Sequence, residues 1–328
     1  MAKWKNIGGD GFNFELAIDG TNKGLFLDKT PLENRFGYKY GDVKIDKGKI
    51  HTNINLPNYL RKTNTIPFGL VDSIHLGSVL NDIEQGLNNV LYGKIDDDSD
   101  VMKSTAKSIE CNITMRVMGN ATCSQVLNLI NRAFYEGTNL VYQRASVKCR
   151  YDKENETVII KKKNYYTLKC YDKSLEQSRE GNIVENGLLR IEIVMLDRLI
   201  RKLFVGKSTI RDVLTKKGLI RIIDEYKRIF IEDVINEHIK PCLSEVEKIL
   251  FTSLVETGKQ KETLVLYKEI IVDEQVLRKA LIRWYKLNDN DEKSARQNAS
   301  SYISRYKPKY GFPENIIDTI RAFSKLCK

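Results

Sequence analysis

No C-x-x-C pair and no zinc-finger spacing occurs in this 328-residue sequence; its six cysteines stand singly at positions 111, 123, 149, 170, 242 and 327. That argues against a structural zinc site and a disulfide framework, and for reduced thiols in a cytoplasm-like compartment. Nor is there a run of about 18 apolar residues, the length a membrane-crossing helix needs. Residues 1–11 are polar and glycine-rich rather than basic and then apolar, so neither secretion nor a membrane span is expected. Gly206-Lys207-Ser208 resembles the end of a nucleotide-binding P-loop, but the earlier glycine that a phosphate cradle requires falls on Arg201, and no ATP use is expected. Gly8-Gly9-Asp10-Gly11 has no preceding strand signal and reads as a flexible leader, not a dinucleotide site. Acidic residues are also short: 43 against 54 lysines and arginines, a formal charge of +11 and a pI near 9.2. An anionic partner follows, with nucleic acid the leading candidate.

What is present suffices for a sizeable core, with 41% hydrophobic residues and a length that suggests two domains. Up to about residue 205 the pattern is strands and turns with two helices; afterwards 220–253 and 262–286 show helical periodicity. The expected fold class is α+β, an antiparallel sheet with helices on one face, followed by a mainly helical C-terminal part. Residues 1–205 form the first domain and 206–328 the second. Within the first, 43–46 and 49–56 flank Lys47-Gly48 as a hairpin. A helix is expected over 72–92, then an acidic solvated loop at 96–100, a strand over 108–117 and a helix over 122–135. Next come strands over 140–151, 157–162 and 165–173, with turns at 152–156 and 163–164, and a closing strand over 188–196. Such an order leaves one sheet face for binding.

Strand alternation assigns residues to that face. In 109–115 the apolar side is Ile109, Cys111, Ile113 and Met115, leaving Glu110, Asn112 and Thr114 opposite. In 189–193, Leu189, Ile191 and Ile193 leave Arg190 and Glu192 together. In 165–173, Tyr166, Leu168 and Cys170 lie on one side and Tyr165, Thr167, Lys169, Tyr171 and Lys173 on the other. In 50–56 the polar side carries His51, Asn53 and Asn55. One surface therefore gathers two carboxylates, a histidine, amides, lysines and tyrosines.

This mixture suits attack on a nucleic-acid phosphate by a tyrosine. The reaction needs a nucleophile, cationic groups for the developing charge and, commonly, a divalent cation on the non-bridging oxygens. Glu110 and Glu192, with His51 and Asn112, could ligate Mg²⁺ or Mn²⁺, hard ions that prefer oxygen. Lys169 and Lys173 lie two residues either side of Tyr171, about 7 Å along a strand, where they could lower the phenol's pKa and hold the phosphate. Cross-strand ion pairing with these lysines is the alternative role for both carboxylates, and a structural role the alternative for His51.

Tyr171-Asp172-Lys173 with Glu176, followed by Leu189-Arg190-Ile191-Glu192-Ile193, resembles the tyrosine strand and the L-R-x-E strand of rolling-circle replication initiators of filamentous phages and related phage or plasmid elements. Ile54-Asn55-Leu56-Pro57-Asn58-Tyr59-Leu60 and Ile109-Glu110-Cys111-Asn112-Ile113 are similar to that family's earlier segments, in matching order over about residues 40–200. The resemblance implies a metal-dependent endonuclease that nicks one strand of supercoiled origin DNA. It would form a 5′-phosphotyrosyl intermediate, leave a 3′-OH primer and rejoin the strand, with a host polymerase and helicase as partners in a bacterial cytoplasm. Tyr171 would be the nucleophile; Glu110 and Glu192 would belong to the metal site. One departure is that the three histidines, His51, His75 and His238, form no histidine-hydrophobic-histidine motif, so a metal site must lean on carboxylates. Tyr165 and Lys169 form a Y-x-x-x-K spacing also seen among tyrosine nickases, so Tyr165 competes with Tyr171, which its Y-D-K-x-x-E context favours.

Residues 140–173 hold nine cationic side chains against four acidic ones, which makes Arg150, Lys161, Lys162 and Lys163, with Arg190, the expected DNA track. Arg305 stands with Tyr302, Tyr306 and Tyr310 in a basic-aromatic stretch compatible with nucleic acid or with a packed amphipathic helix. The helical part would serve DNA recognition or oligomerisation, including a homodimer. Two other readings are a non-catalytic DNA-binding regulator of replication or transcription, and an RNA-processing enzyme.

Overall fold

A computed structural model describes residues 8–17, 44–46, 49–55, 77–78, 81, 105–140, 147–183, 185–206, 208–213, 215–288 and 290–326; for 8–17, 44–46, 49–55, 135–140 and 210–211 the backbone alone is described. The fold is α+β. Among the described residues eight strands form one antiparallel sheet: β1 (Gly8–Ala17), β2 (Lys44–Asp46), β3 (Lys49–Asn55), β4 (Thr105–Arg116), β5 (Val147–Asp152), β6 (Thr157–Lys162), β7 (Tyr166–Asp172) and β8 (Leu188–Leu196). Their spatial order is β2-β3-β1-β4-β8-β7-β6-β5.

The apolar face follows from period-two alternation. Ile109, Cys111, Ile113 and Met115 of β4, Val158 and Ile160 of β6, Tyr166, Leu168 and Cys170 of β7, and Leu189, Ile191, Ile193 and Met195 of β8 are all buried. Helix α1 (Cys123–Leu140) lays Val126, Leu127, Ile130 and Phe134 on this face, the spacing of one side of a 3.6-residue helix. Asn164, at φ 63°, takes the left-handed conformation that closes the β6–β7 turn, one that asparagine tolerates better than most residues.

Several expectations are corrected. Gly8–Ala17 is a strand paired on both sides, with β3 and β4, rather than a leader; three glycines in its first four residues hid it. Helix α1 runs to Leu140, and the strand expected to start at 140 starts at Val147. Strand β7 ends at Asp172, whose side chain accepts from the Leu175 amide at 3.0 Å and caps helix α2 (Lys173–Arg179), so Lys173 opens a helix. Of the helix expected over 72–92, residues 77, 78 and 81 are described and helical. The acidic stretch 96–100 and residues 56–60 lie outside the described residues.

After β8 come α3 (Asp197–Leu203), α4 (Ile210–Val213) and a continuous helical rod: α5 (Lys216–Arg228), a π-helical segment (Ile229–Ile239) and α6 (Lys240–Thr257). Helices α7 (Gln260–Tyr267), α8 (Glu274–Leu287), α9 (Glu292–Tyr310) and α10 (Ile316–Leu326) complete the chain. The expected helix over 262–286 is interrupted before α8 because the wholly buried Asp273 caps it. Its carboxylate accepts from Gln275 N at 2.8 Å, and from Ile316 N at 2.9 Å and Ile317 N at 3.0 Å at the start of α10. No helix among the described residues is long and apolar enough to cross a membrane.

The hydrophobic clusters do not divide at residue 205. Leu219, Ile222, Tyr226, Phe230 and Val234 of the rod, with Ile316, Ile320 and Phe323 of α10, share one cluster with the sheet; a second gathers α6, α7, α8 and α9. Tyr226 Oη donates to the Ile191 carbonyl at 2.9 Å inside the first. A polar tie reinforces this docking: Asp233, 5% exposed, accepts from Lys162 Nζ at 2.8 Å, Tyr166 Oη at 2.9 Å and Arg228 Nη1 at 3.3 Å. Burial works against ionisation of Asp233, yet hydrogen bonds from Lys162 and Tyr166 and the charges of Lys162 and Arg228 hold its carboxyl below the ordinary value.

A carboxyl lowered in the folded state stabilises the fold above its unfolded value of 3.8 and loses that contribution as pH falls below it. Asp233→Asn is expected to cost about 2 kcal/mol at pH 7 and to show a shallower acid-side loss than the parent protein. Denaturant titrations at pH 7 and below the 3.8 value check this; an unchanged acid dependence would refute the assignment.

Candidate functional site

The sheet face opposite the core carries the polar residues that alternation assigned to it. The antiparallel register lines up three rows across β4, β8, β7, β6 and β5: Asn112, Glu192, Lys169, Ile159 and Arg150; Thr114, Arg190, Tyr171, Thr157 and Asp152; Glu110, Val194, Thr167, Lys161 and Lys148. Glu192, Lys169 and Tyr171 meet. Lys169 Nζ donates to Glu192 Oε1 at 2.5 Å, and Tyr171 Oη donates to Glu192 Oε2 at 3.4 Å. Burial penalises the Lys169 ammonium, but the charge and hydrogen bond of Glu192 outweigh that penalty, with smaller help from Glu110 and Glu176, and its pKa is raised. Lys173 Nζ lies 5.9 Å from the Tyr171 ring centroid and pairs with Glu176. It approaches the phenol over the ring from the first turn of α2, not from along the strand.

The face is not open throughout. Asn112, Thr114, Arg190 and Glu192 are at most 3% exposed, whereas Tyr171, Lys169 and Thr167 are half-buried and Lys148, Arg150 and Lys161 are exposed. Exposure therefore rises from β4 toward the β5 edge, and Tyr171 stands at the boundary. Arg190 is corrected on this ground: its Nε donates to Thr114 Oγ1 at 2.8 Å within the sealed row, so it contributes to the sheet's internal network and not to a surface track. Lys162 lies on the other parity, where it meets Asp233. Lys163 is exposed in the β6–β7 turn and Arg305 on α9, among the helices of the second cluster. Lys148, directly paired with Lys161, was not singled out in the sequence; its signal was the single apolar-polar alternation of an edge strand.

Tyr165 sits in the turn before β7, its ring 4.9 Å from the Arg198 guanidinium. It is six residues from Tyr171, about 20 Å along an extended chain, and does not join the carboxylates. His51 does not join them either. Its backbone pairs with Glu15 of β1, whereas Glu110 pairs with Gly11. Four residues of strand and two strand spacings separate the positions, about 14 Å along the sheet and about 10 Å across it.

The ligand set expected for Mg²⁺ or Mn²⁺ is thus reduced to Glu110, Glu192 and Asn112. Among the described residues no three of His, Cys, Asp and Glu stand together as a metal-holding group. Oxygen donors suit a hard cation, but both oxygens of Glu192 are engaged, and the cation beside it is the Lys169 ammonium. A divalent ion on Glu192 would share its oxygens with the Lys169 ammonium and the Tyr171 hydroxyl.

Removing the ammonium leaves Glu192, whose side chain is 5% exposed, without its counter-charge. Lys169→Met is expected to destabilise the protein by about 2 kcal/mol, less than the ~3–5 kcal/mol of a fully buried pair because Lys169 reaches solvent. Lys169→Met with Glu192→Met should recover most of the loss in urea titrations; an additive double variant would show that the pair is not coupled. No protein-family model matches this chain, and no curated protein does either.

Proposed function

We propose that this protein is a rolling-circle replication initiator that nicks one strand of origin DNA through Tyr171, acting in a bacterial cytoplasm alongside a host polymerase and helicase. The observation that carries the reading is the Tyr171 hydroxyl, hydrogen-bonded to Glu192 beside Lys169, on the sheet face that carries the exposed cations Arg150, Lys161 and Lys148 farther along toward its β5 edge. The strip of cations offers contacts to a phosphate backbone. With a phosphate over Tyr171, the phenol oxygen attacks phosphorus and its proton passes to Glu192 Oε2. The P–O3′ bond breaks, and the departing 3′ oxygen takes a proton from Lys169 or water. A 5′-phosphotyrosyl link remains, and attack by the 3′-OH with return of the proton to tyrosinate rejoins the strand. Lys169 offsets charge developing on the phosphate. A DNA-binding regulator is the second reading, favoured by the sealed Thr114–Arg190 and Lys169–Glu192 contacts, which also serve a purely structural sheet.

Incubation with its supercoiled replicon DNA in Mg²⁺ or Mn²⁺ should yield a protein-linked nick that falls by ~10³-fold or more in Tyr171→Phe and persists in Tyr165→Phe. A covalent adduct that survives Tyr171→Phe refutes the nucleophile, and absence of any adduct with DNA or RNA refutes the enzyme. The triple variant Lys148→Gln, Arg150→Gln, Lys161→Gln should reduce the slope of log K against log salt by about 2 for single-stranded DNA. An unchanged slope would place the DNA elsewhere.

A further inference from the structure

Where the two hydrophobic clusters meet, helices α1, α6, α8 and α10 and the π-helical segment line a partly open cavity of about 390 Å³. Its floor is apolar: Leu129, Ile239 and Ile320, 1–5% exposed, border the space. Its rim is cationic. Lys240 and Lys279 are exposed at the mouth, and neither has a carboxylate partner among the described residues. The other charges there are committed: Glu247 accepts from Arg283 at 3.0 Å, and Arg321 donates to Asp318 at 3.0 Å and to Gln275 at 3.1 Å.

We infer that this cavity binds a small amphiphilic anion, an apolar chain or ring ending in a carboxylate or comparable anionic group. The volume lies near the lower end of the ~300–1,000 Å³ typical of small-molecule sites. Apolar walls without a buried polar partner select the body of such a ligand. Two lysines at the mouth, with the Ser244 hydroxyl beside them, select its anionic end. The site lies on the core side of the sheet, so the inference is independent of the nicking reading. Because its walls come from both clusters, an occupant bridges the sheet-bearing core and the C-terminal helices and raises the stability of their joint.

The full chain is titrated by calorimetry and thermal melting with decanoate, with decanol as the uncharged counterpart and decyltrimethylammonium as the cationic one. Decanoate should bind at one site and raise the melting temperature; both counterparts should bind at least roughly tenfold more weakly. Lys240→Gln with Lys279→Gln should weaken decanoate about tenfold, and Ser244→Trp, an exposed position at the mouth, should abolish binding while leaving the unliganded melt intact. The inference is overturned by no saturable binding below about 1 mM, by equal binding of the three amphiphiles, or by parental affinity in both variants.

Discussion

The antiparallel register of β7 on β8 is the constraint from which the candidate site derives. It sets Lys169 opposite Glu192 and Tyr171 opposite Arg190, and a slip of β7 by one residue would send Lys169 and Tyr171 to the apolar face, away from Glu192 and Arg190. The register is held from behind by side chains with no polar role: Leu168 and Cys170 of β7 and Ile191 and Ile193 of β8 are buried against α1 and the rod. The packing that stabilises the sheet therefore also aims the phenol, and chemistry on one face depends on hydrophobic burial on the other.

Burial also grades the electrostatics. At β4 and β8, Asn112, Thr114, Arg190 and Glu192 are withdrawn from water, and Arg190 donates to Thr114. At β5 and β6 the cations are solvated and available to a phosphate chain. Tyr171, between these regimes, has a carboxylate held by a lysine on one side and Thr157 and Asp152 on the other, with the cations two or more residues farther along the strands. A buried carboxylate needs a counter-charge, and Lys169 supplies it.

Much of this was legible because alternation is a local signal. The apolar sets of β4, β7 and β8, the antiparallel pairing of β2 with β3 and the Asn164 turn follow from neighbours in sequence. Strand β1 was not legible, since glycines carry no side-chain pattern, and its place between β3 and β4 comes from pairing with strands distant in the chain. Lys162 and Lys173 illustrate two further limits. A run of three lysines does not reveal which one turns toward a buried Asp233, and the end of β7 depends on Asp172 capping a helix that begins one residue later. His51 shares a polar parity with the carboxylates, yet parity says nothing of distance along the sheet, which register alone decides.

The amino-acid sequence by itself determined the α+β class, the two faces of the central strands and the candidacy of Tyr171 with Glu192, because period-two alternation is written in adjacent residues. Tertiary structure alone decided that Arg190 is sealed, that Lys148 joins Lys161, that Tyr165 stands apart, and that the helical rod shares the sheet's core. Those outcomes depend on which distant segments pack together and how much water they exclude, and no local pattern encodes that.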